Sequence, residues 1–139
     1  MTITYKQFTE LSVDGAREIE IIVSDFNSAV ALFDAAGLEH TSYQESKRET
    51  WLHDDVEVVL DVWPWLDPYI EIEGPNVEAV QKVAQSLGLT WEDAVFGDVM
   101  AAYRQQYPHL SITDTVASLP EVKFEDPLPE LLIKRKPVI

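Results

Sequence analysis

Polar and apolar positions alternate from Thr2 to Phe8: Thr2, Thr4 and Lys6 fall on one face, Ile3, Tyr5 and Gln7 on the other. That period of two, with β-branched and aromatic residues, predicts a strand. Val13-Asp14-Gly15 supplies a turn, and 16–23 returns as a second strand with Ile19, Ile21 and Val23 on one face and Glu18 and Glu20 on the other. The period then changes. Ser24-Asp25 opens a helix whose Phe26, Val30 and Phe33 recur at three-to-four spacing until Gly37 ends it. Residues 40–53 read as one long polar strand, Asp54-Asp55 as a tight turn, and 56–63 as a strong apolar strand. Pro64 and Pro68 interrupt that strand because proline cannot donate to a ladder, and 69–73 forms a short fifth strand.

Two more helices are predicted. Gly74-Pro75-Asn76 opens the first, with Val77, Val80, Val83 and Leu87 as its stripe and Gly88 as its stop. Thr90 and Asp93 resemble a capping box for the second, which would turn Val95, Phe96, Val99 and Tyr103 inward and end before Pro108. Residues 109–139 hold several prolines and no clear period. The expectation is a domain over 1–108 and a C-terminal tail over 109–139, partly ordered at best.

Composition narrows the function classes. Hydrophobic residues make up 46% of the 139, so this is a folding chain, and its charge is −15. Nucleic-acid binding and attachment to an anionic membrane both favour a positive field, so neither is expected. No apolar run approaches the roughly 20 residues of a membrane span, and no basic-then-apolar leader opens the sequence; the expected location is cytoplasmic. With no cysteine, disulfides, thiolate catalysis and Cys-type zinc sites are excluded, and His40, His53 and His109 lack metal-ligand spacing.

The polar strand faces are selective. They carry Lys6; Glu18 and Glu20; Gln44, Ser46 and Arg48; Glu57 and Asp61; and Tyr69, Glu71 and Glu73. If the five strands form one curved antiparallel sheet, helices cover its apolar convex face and Lys6, Arg48, Glu18, Glu20, Asp61, Glu71 and Glu73 share the concave one. Crowded carboxylates accept a divalent cation, and Lys6 and Arg48 meet phosphate oxygens. The same alternation also describes an ordinary solvated face, and the segment Trp63-Pro64-Trp65 reads as a core plug and edge stop.

In order along the chain stand Thr4-Tyr5-Lys6, Arg17-Glu18-Ile19-Glu20, Lys47-Arg48-Glu49-Thr50-Trp51, Leu60-Asp61-Val62-Trp63-Pro64 and Tyr69-Ile70-Glu71-Ile72-Glu73-Gly74, followed by Leu87-Gly88-Leu89. Over about residues 2–108 this resembles the CYTH domain of the triphosphate tunnel metalloenzymes, most nearly the class IV adenylate cyclases. The resemblance implies an α+β fold: a partial tunnel barrel of about five antiparallel strands with helices on its convex face. It implies triphosphate contacts from Lys6 and Arg48, and metal or tunnel carboxylates at Glu18, Glu20, Asp61, Glu71 and Glu73. It further implies Mg²⁺ or Mn²⁺, and ATP (cyclised to cyclic AMP), thiamine triphosphate or inorganic triphosphate as substrate. No general base is assigned.

Two departures stand beside it. The family's Lys-x-Arg would put lysine at Ser46, yet the lysine is Lys47, on the opposite face by alternation. The family's opening Glu-x-Glu-x-Lys strand and the basic strand after it have no counterpart here. The expectation is therefore a fragment of a longer product, a homodimer or complementing chain joined through the open edge at 2–8, or an impaired domain that binds a phosphoryl ligand or a partner.

Overall fold

The computed structural model describes residues 1–8 and 16–133; the turn expected at 13–15 lies outside them. The alternating segments become β1 (Thr2–Phe8) and β2 (Ala16–Ile22), an antiparallel hairpin in which Lys6 faces Glu18 and Thr4 faces Glu20. Next comes α1 (Phe26–Ala35), capped by Asp25, whose Oδ1 accepts from Ser28 N at 2.6 Å. The long polar strand expected over 40–53 is two strands, β3 (Tyr43–Gln44) and β4 (Lys47–His53). The break has a physical cause. Tyr43 N and Glu45 N donate to the carbonyls of Pro120 and Val122, so β3 pairs in parallel with β7 (Glu121–Val122) near the end of the chain.

β4 turns through Asp54-Asp55 into β5 (Val56–Val62), which pairs with β6 (Tyr69–Glu73), giving an antiparallel sheet of order β4-β5-β6. The architecture is α+β with antiparallel sheets, as the alternation predicts. Among the described residues the strands are divided into three ladders, hairpin, parallel pair and three-stranded sheet, and no barrel closes, which is consistent with a partial tunnel fold. No helix among these residues is long and apolar enough to cross a membrane.

α2 (Val77–Ser86) is capped by Asn76 and buries Val80, Val83 and Ala84. It sits close on the sheet because Gly74 has no side chain: a Cβ there would lie 3.0 Å from Val80 Cγ2 and 3.1 Å from Val56 Cγ2. By contrast, α1 buries none of its residues. The third helix starts later than the Thr90–Asp93 pattern predicts. Trp91–Asp93 makes only one 3₁₀ turn, Gly97 reverses the backbone at φ +144, and α3 (Val99–Gln106) begins under an Asp98 cap. Val95 and Phe96 consequently stay exposed, while Tyr103 is fully buried.

Residues 110–132 pack rather than trail. Leu110, Val116, Val122 and Leu132 join Leu66, Met100 and Tyr103 in the main buried cluster, with the ring of Tyr69 against it. Their spacing shows no period because 3₁₀ turns and the two-residue β7 bring them in singly. The proline-rich segment at 63–68 does act as a core plug. Buried Pro64 accepts from Tyr103 Oη at 2.7 Å, and Trp65, held at φ 63, has its carbonyl engaged by Tyr107 Oη at 2.6 Å.

Candidate functional site

Cross-strand partners share a sheet face. On one face of β4-β5-β6 the register stacks three rows: Arg48–Asp61–Tyr69, then Thr50–Val59–Glu71, then Leu52–Glu57–Glu73. Asp61 is completely buried, a costly place for a carboxylate unless it is paired and hydrogen-bonded. Arg48 supplies that pairing: Nε donates to Oδ1 at 2.8 Å and Nη2 to Oδ2 at 2.5 Å, a fork geometry only arginine offers. Nη2 also reaches Glu71 Oε2 at 2.9 Å. Nη1 has no partner among the described residues, and the guanidinium side chain is 49% exposed.

The hairpin contributes the second cation. Lys6 Nζ lies 2.5 Å from Glu18 Oε1, and both side chains are partly exposed. Burial lowers the Lys6 pKa, but the Glu18 hydrogen bond and the charges of Glu18, Glu73 and Glu71 outweigh it, so the ammonium is held above its ordinary value. Hairpin and sheet thus share one field. Within it, Glu71 is pushed above the usual carboxylate range, first by desolvation and then by Glu73, with Arg48 and Lys6 opposing. Asp61 raises Arg48 further through its hydrogen bond.

Lys6, Glu18, Arg48, Asp61, Glu71 and Glu73 therefore form one charged cluster. Glu20 is placed on the same hairpin face, where it accepts from Thr4 Oγ1 at 3.1 Å. Ser46 and Gln44 do not extend the Arg48 row, since Gln44 belongs to the parallel pair with β7 and hydrogen-bonds Ser42. Lys47 pairs with Val62 on the opposite sheet face, its ammonium 4.7 Å from the centroid of Phe124, so it is not available beside Arg48.

Sequence reasoning put Tyr69 on this face and gave it no role. In the structure it stands across from Asp61 in the register, and desolvation first, then the charges of Asp61 and Glu71, keep its phenol protonated well beyond the ordinary range. The spacing Tyr-x-Glu-x-Glu was the available signal.

A resident metal site does not fit this arrangement. Among the described residues no three His, Asp or Glu side chains come together so as to hold an ion. Asp61 is committed to Arg48, Glu18 to Lys6 and Glu20 to Thr4. An open depression of about 520 Å³ is lined mainly from the other face of the sheet by Trp51, Val58, Leu60 and Ile70, with Leu87 and, at the β4–β5 turn, Leu52, His53 and Asp54.

The family model described as the CYTH domain matches residues 2–94, about two thirds of the chain. Neither a curated protein nor a solved structure matches it. The chain belongs to the CYTH domain family.

Proposed function

From that membership we propose that the chain binds a metal-complexed triphosphate on the charged face, with Arg48 and Lys6 as its phosphate contacts. The observation that carries this reading is the state of Arg48. Its Nε and Nη2 are clamped by a buried acid, while Nη1 has no partner among the described residues and the side chain is half exposed. An arginine braced on one edge and open on another is prepared to receive a phosphoryl oxygen without rearranging.

Charge specifies the form of the ligand. The cluster sets four carboxylates (Glu18, Asp61, Glu71, Glu73) against two cations (Lys6, Arg48). A bare triphosphate would be repelled by this surplus, whereas its Mg²⁺ or Mn²⁺ complex carries part of its own neutralisation. The cation therefore arrives as part of the ligand. The chemistry proposed is that of the class IV adenylate cyclases, ATP to cyclic AMP, or hydrolysis of an organic or inorganic triphosphate. In either, Arg48 and Lys6 would offset charge that develops on phosphate oxygens.

A second reading, binding without turnover, is favoured by the engagement of Asp61 and Glu18 in ion pairs instead of a metal cage. Calorimetry with tripolyphosphate and with ATP, each with and without Mg²⁺, tests the common part. Binding that requires the cation and is weakened about tenfold or more by Arg48→Lys is expected, because lysine lacks the fork. Release of phosphate or of cyclic AMP then selects the catalytic reading, and saturable binding with neither product selects the module. Cation-independent binding, or none, defeats both. Self-association through the outer edge of β1 is proposed alongside. Among the described residues that strand pairs only with β2, and sedimentation velocity giving a concentration-independent monomer would exclude the dimer.

A further inference from the structure

We infer that the open apolar trough on the sheet face opposite the charged cluster is an interface for a second copy of this chain, and that α1 of the partner fills it. This goes beyond the triphosphate-binding reading and does not depend on it. Trp51, Leu60 and Ile70 from the sheet and Leu87 from the end of α2 line the trough, all of them exposed, together with half-buried Val58. Trp51 Nε1 donates to Glu49 Oε1 at 3.0 Å, so the polar atom of the indole is engaged and its ring offers apolar surface. Charge enters the lining only at the β4–β5 turn. The same chain carries a helix that matches this surface. α1 aligns Phe26, Val30 and Phe33 on one side, has Asp34 as its one charged side chain, and buries none of its residues. Its ten residues fall short of the roughly 12–15 at which an isolated helix becomes even marginal in water, so its stability has to come from packing. An apolar face and an apolar helix, neither covered within its own chain, are the two halves of an isologous contact: a two-fold axis that seats one α1 in the partner's trough seats the other reciprocally.

Surface area points to the same occupant. The chain exposes 10466 Å², whereas a folded monomer of its mass exposes about 7,300 Å². Even counted as fully extended, the thirteen residues outside the described ones account for no more than about half of that difference. About 1,500 Å² per copy remains in surplus, and twice that lies within the range that obligate homodimers bury.

Sedimentation velocity on the full chain is the first test. The wild type should be a dimer, and Phe33→Asp on the helix or Trp51→Glu in the trough should each raise its dissociation constant about tenfold or more by setting a charge against apolar surface. Ile112→Asp alters an exposed apolar side chain that belongs to neither surface and should change nothing. All three side chains are exposed, and far-UV circular dichroism checks that each variant keeps its fold. The second test uses the absence of cysteine from the chain. Phe33→Cys and Ile70→Cys chains, prepared separately, mixed and oxidised, should give a disulfide-linked dimer with one of each as the dominant product, and the double variant should link between chains. A monomeric wild type overturns the inference. A dimer that both charge variants leave intact also overturns it and moves the contact to the β1 edge. Equal loss in Ile112→Asp overturns it as unspecific association, and a disulfide within one chain overturns it because α1 then covers its own trough.

Discussion

The β1–β2 hairpin and the β4–β6 sheet are written in the same alternating code, and each sets a cation opposite a carboxylate in register: Lys6 against Glu18, Arg48 against Asp61. The contact distance is the same in both, 2.5 Å. What differs is cover. In the hairpin both partners keep over two fifths of their side-chain surface in water, whereas in the sheet the arginine is half exposed and the aspartate 1% exposed. Ile19, Ile21 and Tyr5 on the other hairpin face are also largely exposed, while β5 has Val56, Val59 and Asp61 buried. Burial of the acid, rather than closeness of the pair, decides how firmly the cation is fixed. A solvated pair opens and re-forms at little cost. A buried carboxylate cannot release its partner without being left uncompensated. The site thus combines a rigid fork with an adjustable ammonium.

The sharpest way to break this comparison is Arg48→Ala. It strands Asp61 in the interior without its Arg48 partner, and should cost about 3 kcal/mol of stability, at the low end for a broken buried pair because the guanidinium is itself half solvated. Urea denaturation measures it. Asp61→Asn should cost less than Arg48→Ala, because an amide accepts from Arg48 and needs no counter-charge. A smaller loss in Arg48→Ala than in Asp61→Asn would mean that the burial of Asp61 does not govern the pair.

A weaker effect comes from Glu71, which bridges the two regions electrically. Its folded-state pKa is raised by desolvation and by Glu73. The sign follows from linkage: the folded state takes up this proton more readily than the unfolded one. The ionised group therefore opposes folding at neutral pH, and that cost is relieved as pH falls through the raised pKa towards the unfolded value near 4.3. Glu71→Gln should stabilise the chain at pH 7 by up to about 1 kcal/mol, with the gain shrinking towards pH 4. The amide oxygen can still accept from Arg48 Nη2. Thermal melts at pH 4, 5.5 and 7 test this, and a variant less stable than wild type at pH 7 would show that the Arg48–Glu71 ion pair outweighs desolvation.

Much of this arrangement was legible in the order of residues, because alternation alone assigns Lys6, Glu18, Arg48, Asp61, Glu71 and Glu73 to polar faces and puts Lys47 opposite Arg48. The helix caps at Asp25 and Asn76 could be read for the same reason: they are local. What could not be read is long-range pairing. The split of 40–53 depends on backbone bonds to residues 120–122, about eighty positions away, and no period announces them. The stretch beyond 108 looked like a tail because its buried residues are spaced by turns. That Tyr69 stands beside Asp61 and rests its ring on the C-terminal core needed both the register and the packed fold. The division into separate ladders likewise depends on how strands meet edge to edge, which side-chain pattern does not encode.

The smallest effect is the most telling about the hairpin. Lys6→Met keeps the aliphatic stem and removes the charge, leaving Glu18 in contact with water. At 0.15 M salt the loss should be about 0.5 kcal/mol or less, the usual worth of a solvated pair. In 1 M NaCl, where the screening length falls to about 3 Å, the difference between variant and wild type should disappear, whereas the Arg48→Ala deficit should persist because its stranded carboxylate is shielded from ions. The same contrast should appear in ligand binding, with the Lys6 contribution to magnesium tripolyphosphate affinity lost at high salt and that of Arg48 largely retained. Paired urea titrations and calorimetry at the two salt concentrations read both. Parallel salt dependence of the two variants would mean that Asp61 is effectively solvated, and the distinction between a fixed and an adjustable cation would collapse.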